Sequence, residues 1–165
     1  MEYRGTAIKE DNIKTGKILA VEYHPKAKYS WSTGIAIGRF LKELKNGRII
    51  GRKCNKCGRV TTPPRIFCEK CFRESDEWIY LKDTGVVNTF VLSYIAFDTT
   101  RLEKPIIPAV IWIDGADNAG FLHLLGEVEP KDVKIGMKVK AVWKAANERK
   151  GDITDIKYFK PLKEE

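Results

Sequence analysis

This 165-residue chain has no apolar run near the roughly 20 residues that a membrane-spanning helix requires, which argues against a helical span. Met1 to Thr15 mixes both charges without the apolar stretch of a secretory signal, so the cytoplasm is the expected compartment. Histidine is scarce. His24 and His123 stand far apart, and His123 lies within Phe121-Leu122-His123-Leu124-Leu125, where a barrel histidine with satisfied hydrogen bonds is expected rather than a general base. A G-x-S-x-G elbow, a P-loop and an H-E-x-x-H helix are all missing. Asp114 and Asp117, beside Gly115 and Gly120, read as turn residues rather than as paired catalytic carboxylates. Cysteine stops at four, and a reducing compartment makes these metal ligands rather than a disulfide framework, which leaves no free thiol as a nucleophile. The chain is therefore read as not an enzyme.

What is present is a globular composition, 43% hydrophobic and 32% charged, with enough apolar residues for a core. The formal net charge of +8 raises the question of an anionic partner. Residues 1–50 hold 10 basic and 5 acidic side chains and residues 51–80 hold 7 and 4, whereas residues 81–165 are balanced at 13 and 13. A domain gripping a polynucleotide by its phosphates is expected to carry its own basic surplus, and the second half does not.

The first thirty residues show no sustained period and read as loop with one short helical turn. From Trp31 the pattern changes: Ile37, Phe40, Leu41 and Leu44 follow the spacing of a helix with one apolar stripe. Ser30 or Ser32 is placed at its start and Asn46-Gly47 at its end. That stripe packs either on its own domain or on a partner. Its own domain is the leading cover; Tyr23, Tyr29 and Trp31 keep the partner reading open, because aromatics are enriched at interface hot spots, and Trp31, Phe40 and Leu44 are the residues offered for it. Beyond Trp78 the chain reads as five strands, within 85–94, 106–113, 121–125, 138–143 and 153–159, with turns at Asp114-Gly115 and Gly136 and a short helical turn at 129–133. Five strands spaced too closely for helical crossovers imply a small barrel, with the OB-fold as the leading architecture. Lys163-Glu164-Glu165 is read as a frayed tail.

The strongest signal is Cys54-Asn55-Lys56-Cys57 with Cys68-Glu69-Lys70-Cys71, a C-x2-C-x10-C-x2-C array whose four thiolates fill a tetrahedron and leave no open coordination position. A structural zinc is the leading occupant. A rubredoxin-type iron and a redox dithiol are the alternatives, since iron also accepts four thiolates. Val60, Ile66 and Phe67 are too few apolar residues to fold the intervening module unaided, so the metal serves as its core. Gly58 suits the left-handed turn after the first pair, whereas Phe72 stands in the matching place after the second and breaks the symmetry.

In order of elements, the chain resembles the acyl-CoA-associated OB-fold proteins with a rubredoxin-like zinc ribbon, known as domain of unknown function 35 (DUF35). The match is carried by Tyr29-Ser30-Trp31 entering a helix, residues 47–54 leading into the first knuckle, Val60 to Arg65, Cys68 to Cys71, and Gly85-Val86-Val87 opening the barrel. The resemblance implies a mainly β chain with an N-terminal helical segment at 1–47, a zinc ribbon at 48–80 and a five-stranded OB-fold domain at 81–165. It also implies a non-catalytic companion of thiolases and 3-hydroxy-3-methylglutaryl-CoA synthases that binds CoA or acyl-CoA. Given such a ligand, Arg52, Lys53, Arg59 and Arg65 around the ribbon are the candidates for its phosphates, against the plainer reading of a solvated or partner-facing surface. The competing function is a single-stranded nucleic-acid binder with Phe90, Tyr94, Phe97 and Trp112 as stacking residues.

Overall fold

The computed structural model describes residues 9–21, 25–96 and 98–162. Tyr23, His24, Phe97 and the 163–165 tail lie outside these residues. The chain falls into two units that divide after Ser32. The first contains the expected helical turn, α1 (Glu10–Lys14), where Lys14 pairs with Glu10 at 2.8 Å and the Thr15 hydroxyl donates to the Asp11 carbonyl at 2.7 Å.

The second unit opens with α2 (Gly34–Lys45). Its N-cap is Thr33 rather than Ser30 or Ser32, and the Thr33 side chain makes no capping hydrogen bond. Its C-terminus ends where expected. Gly47, at φ 72°, donates its N–H to the Leu44 carbonyl at 2.8 Å, and Arg48 donates to the Glu43 carbonyl at 2.9 Å. Those two bonds form a Schellman motif, which satisfies carbonyls that a helix end otherwise leaves orphaned.

The ribbon follows as β1 (Ile49–Lys53), β2 (Val60–Thr61), β3 (Phe67–Cys68), β4 (Arg73–Glu74) and β5 (Glu77–Leu81). β1 lies between β2 and β5 in one antiparallel sheet, and β3 pairs with β4 as a hairpin. The remaining strands are β6 (Thr84–Phe90), β7 (Ser93–Ile95), β8 (Arg101–Ile106), β9 (Pro108–Ile113), β10 (Gly120–Leu124), β11 (Lys138–Trp143) and β12 (Ile156–Pro161). Five of these form an antiparallel sheet in the order β10-β9-β6-β11-β12, which a parallel bridge between Leu125 and Phe159 closes into the OB barrel. The expected strand at 85–94 is two strands, β6 and β7, and the unexpected β8 pairs with β7 as a separate hairpin. Residues 153–155 form a short 3-10 turn ahead of β12 rather than its first residues. The short helical turn expected at 129–133 is present over Pro130–Asp132.

One core joins these parts. Phe40 and Leu44 of α2 and Ile49 and Ile50 of β1 pack with Val87, Ile111, Phe121, Val139 and Phe159 of the barrel. Phe40 meets the Phe121 ring edge-on, with centroids 6.0 Å apart. Phe40 and Leu44, offered above as partner contacts, are only 3% and 0% exposed, so the apolar stripe is consumed within the chain. Trp31 differs: it is 81% exposed and stands edge-on to Tyr29. Among the described residues no helix is long and apolar enough to cross a membrane.

Candidate metal centre and the cleft beside it

Two tight turns bring the cysteines together. Cys54 follows β1 directly and donates its N–H to the Arg59 carbonyl at 2.9 Å, while Gly58 donates back to the Cys54 carbonyl at 2.8 Å. The second knuckle repeats the second of these bonds, with Phe72 donating to the Cys68 carbonyl at 2.9 Å. Gly58 takes φ 76° and Phe72 takes φ 53°, so the phenylalanine adopts the same left-handed turn despite its side chain. The two knuckles are alike in backbone although unlike in residue.

All four sulfurs lie within 4.8 Å of one another, and Cys57 Sγ is 3.8 Å from Cys68 Sγ. Zinc–sulfur bonds of about 2.3 Å in a tetrahedron place sulfurs about 3.8 Å apart, so the donor set fits such an ion. Its chemistry fits as well. The Cys57 backbone N–H, more than any other cause, lowers the Cys54 thiol to about 7. Burial, reinforced by the Cys57 and Cys54 side chains, pushes Cys71 up to about 12. A bound divalent cation favours the ionised form of all four thiols.

The four basic residues proposed for phosphates have different fates. Arg52 is 7% exposed and turned inward. It donates to the carbonyls of Ser75 and Asp76, the latter at 3.5 Å, and its guanidinium lies 5.0 Å from the Trp78 ring, whose other neighbour is Arg39 at 4.4 Å. Register explains this, because Arg52 stands directly opposite Trp78 in the β1–β5 pair. Arg52 is thus withdrawn from any ligand. Arg52→Ala is expected to cost about 2 kcal/mol of stability, since the buried Ser75 carbonyl loses its donor, and to leave anion binding unchanged; urea midpoints and calorimetry check the two halves. Lys53 is half-buried at the end of β1, next to Cys54.

Arg59 and Arg65 meet. Both reach Glu69, at 2.6 and 3.6 Å, and both line a cleft of about 210 Å³ whose far wall is Trp112, Asn118 and Gly120 of the barrel. Within the lining of the cleft, two guanidiniums share one carboxylate. Ribbon and barrel are pinned together at its edge: the Val60 N–H donates to Asp117 Oδ2 at 2.6 Å and the Asp117 N–H donates to the Val60 carbonyl at 2.9 Å. Asp117, read above as a turn residue, is therefore also a clamp. Of the stacking residues offered for nucleic acid, Phe90 packs against the core, Tyr94 lies on the β7–β8 hairpin and Trp112 faces this cleft. His123 is held as expected, with Nδ1 accepting from the Leu124 N–H at 2.8 Å and Nε2 at 3.2 Å from the Ile153 carbonyl; burial lowers its pKa.

Comparison with known proteins places these features in context. Residues 41–77 match the family model for the ChsH2 rubredoxin-like zinc ribbon domain, and residues 78–144 match that for the ChsH2 C-terminal OB-fold domain. A DUF35 domain-containing scaffold protein of Methanocaldococcus jannaschii is 34% identical over 118 residues, which is 69% of this chain and 82% of that protein. The crystal structure of a DUF35-family protein of unknown function from Sulfolobus solfataricus superposes with a TM-score of 0.59 at 32% identity, covering 67% of this chain and 79% of that one. A chain of the Ltp2-ChsH2(DUF35) aldolase shares the fold at a TM-score of 0.57 and 18% identity, covering 81% of this chain and 98% of that one.

Proposed function

The chain belongs to the DUF35 family of zinc-ribbon and OB-fold proteins, and from that premise we propose that it is a non-catalytic scaffold subunit of the cytoplasm. It binds CoA or acyl-CoA and holds a thiolase or 3-hydroxy-3-methylglutaryl-CoA synthase type enzyme. A curated relative named as a scaffold protein supports the accessory role. The observation that carries the ligand is the cleft between ribbon and barrel, where Arg59 and Arg65 stand across from Trp112. Guanidiniums suit the phosphates of CoA through charge-assisted hydrogen bonds, and an indole face suits its adenine. The zinc shapes this site from a distance: it fixes the turn from Cys54 to Val60 and the segment from Arg65 to Cys68, and those carry the two arginines.

Titration of the zinc-loaded protein with CoA tests the ligand. Binding should weaken about tenfold in Arg65→Ala, the loss of one hydrogen bond to a charged group. Co-purification with a thiolase-type enzyme from native cells tests the partner. CoA binding that Arg65→Ala leaves intact would remove the cleft from the proposal. Salt-dependent binding to single-stranded oligonucleotides in place of CoA would replace the reading with the nucleic-acid one.

A further inference from the structure

On the outward-facing register of the β9–β10 pair no side chain is polar, and His123, opposite Ala109 on the other register, is half-buried and lines the hollow at the Pro108–Leu124 end. Its register sets Trp112 opposite Gly120, Val110 opposite Leu122 and Pro108 opposite Leu124, while the alternate residues Ala109, Ile111, Ile113 and Phe121 are buried. An antiparallel sheet with one face on the core ordinarily turns polar residues outward. The same barrel obeys that rule at β11, where Lys138 and Lys140 face out on either side of buried Val139. Leu122, at 64% exposure, contributes almost nothing to the core, so folding does not account for it.

This apolar strip runs between two hollows. At the Trp112–Gly120 end lies the cleft of Arg59 and Arg65. At the Pro108–Leu124 end lies a concavity of about 610 Å³ walled by Leu122, Leu124, Ile153 and Ile156, with His123 and Thr154 also in its lining and Lys144 and Lys157 at its rim. That volume is in the range of small-molecule sites, about 300–1,000 Å³. Val110 lines the first hollow and its cross-strand partner Leu122 lines the second, so the two are successive parts of one face. Trp112 in the lining of the first and Pro108 in that of the second lie four residues apart on β9, about 13 Å at the usual strand rise. Cationic groups at one end and an apolar floor leading away from them complement an elongated amphipathic anion.

We infer that the outer face of β9–β10 is a single binding groove in which a phosphate-bearing head sits at Arg59 and Arg65 and an apolar acyl chain lies over Val110 and Leu122 into the Leu124 hollow. The inference rests on the CoA reading above and adds to it a preference for thioesters with a medium or longer chain over acetyl-CoA. Calorimetry on the zinc-loaded full chain with CoA, acetyl-CoA and octanoyl-CoA tests it. Octanoyl-CoA should bind at least about tenfold more tightly than acetyl-CoA, given about fourfold per fully buried methylene and a groove open on one side. Leu122→Asp places a charge on the floor at an exposed position, so the melting temperature should hold while the gain from the octanoyl chain disappears and CoA itself changes by less than about twofold. Leu124→Asp should act alike, whereas Arg65→Ala should weaken all three ligands by the same factor. Equal affinity for acetyl-CoA and octanoyl-CoA would overturn the groove and leave the CoA reading standing. Failure of every thioester to bind would overturn both. An oligomer that Leu122→Asp converts to monomer in sedimentation, with no chain-length effect, would assign the face to a second copy of this chain and overturn the inference as well.

Discussion

Chelating the metal, or replacing Cys54 with serine, should lower the melting temperature of the whole second unit by well over 10 °C and strip protection from the ribbon amides in hydrogen exchange. The ribbon has little else to hold it: Ile66, Phe67 and Phe72 are exposed, and its β2, β3 and β4 are two residues each. Apparent binding energies of about 10–16 kcal/mol for structural zinc exceed what such a module gathers from burial. The loss propagates because β1 ends at Cys54 and begins with Ile49 and Ile50, which lie in the shared core. Releasing two isoleucines from that core costs about 3–6 kcal/mol, comparable with the whole stability of an ordinary domain. The native protein should hold one zinc per chain by mass spectrometry and be colourless. A red protein with a reversible one-electron couple would mean iron instead, and an unchanged melting temperature after complete chelation would contradict the structural role.

Asp155→Ala is expected to cost about 3 kcal/mol or more, a fall of about 10 °C, from the loss of a single carboxylate. Asp155 is fully buried, and its side chain accepts the backbone N–H groups of Lys150 at 2.8 Å, Gly151 at 2.7 Å and Asp152 at 3.3 Å. Removing it takes the acceptor from three backbone donors of one bend. The bend matters beyond stability. It sets Ile153 and Thr154 in the wall of the apolar hollow, and Thr154 in turn accepts from Lys144 at 2.8 Å. Asp155→Asn keeps one oxygen and should retain about half of the lost stability. Thermal melts of both variants check the ranking, and equal melting temperatures for Asp155→Ala and the native chain would contradict it.

Much of this was legible in the residues because the signals are local. The cysteine spacing, the Asn46-Gly47 stop and the alternation from Lys138 to Lys144 each depend on a few neighbouring positions. What covers the helix stripe was not legible: Phe40 and Leu44 mark a buried face equally well whether the cover is a partner or the chain's own barrel. Nor can composition separate Arg52 from Arg59 and Arg65. Pairing with a strand 26 residues away turns Arg52 onto Trp78, while the other two emerge on loops beside a turn of the barrel. The apolar outer face did leave a trace. Ile106 to Ile113 has no polar residue at all, where a half-buried strand ought to alternate, and that break in period is the sequence form of the groove.

The pair of hydrogen bonds between Val60 and Asp117 ties the metal-bearing ribbon to the turn that joins β9 to β10. A ligand seated between them and a zinc seated in the knuckles therefore draw on the same ordered segment. By reciprocity, whatever free energy the metal lends to ligand binding the ligand must return to metal binding. On the CoA reading, the zinc would then strengthen ligand binding as well as hold the ribbon.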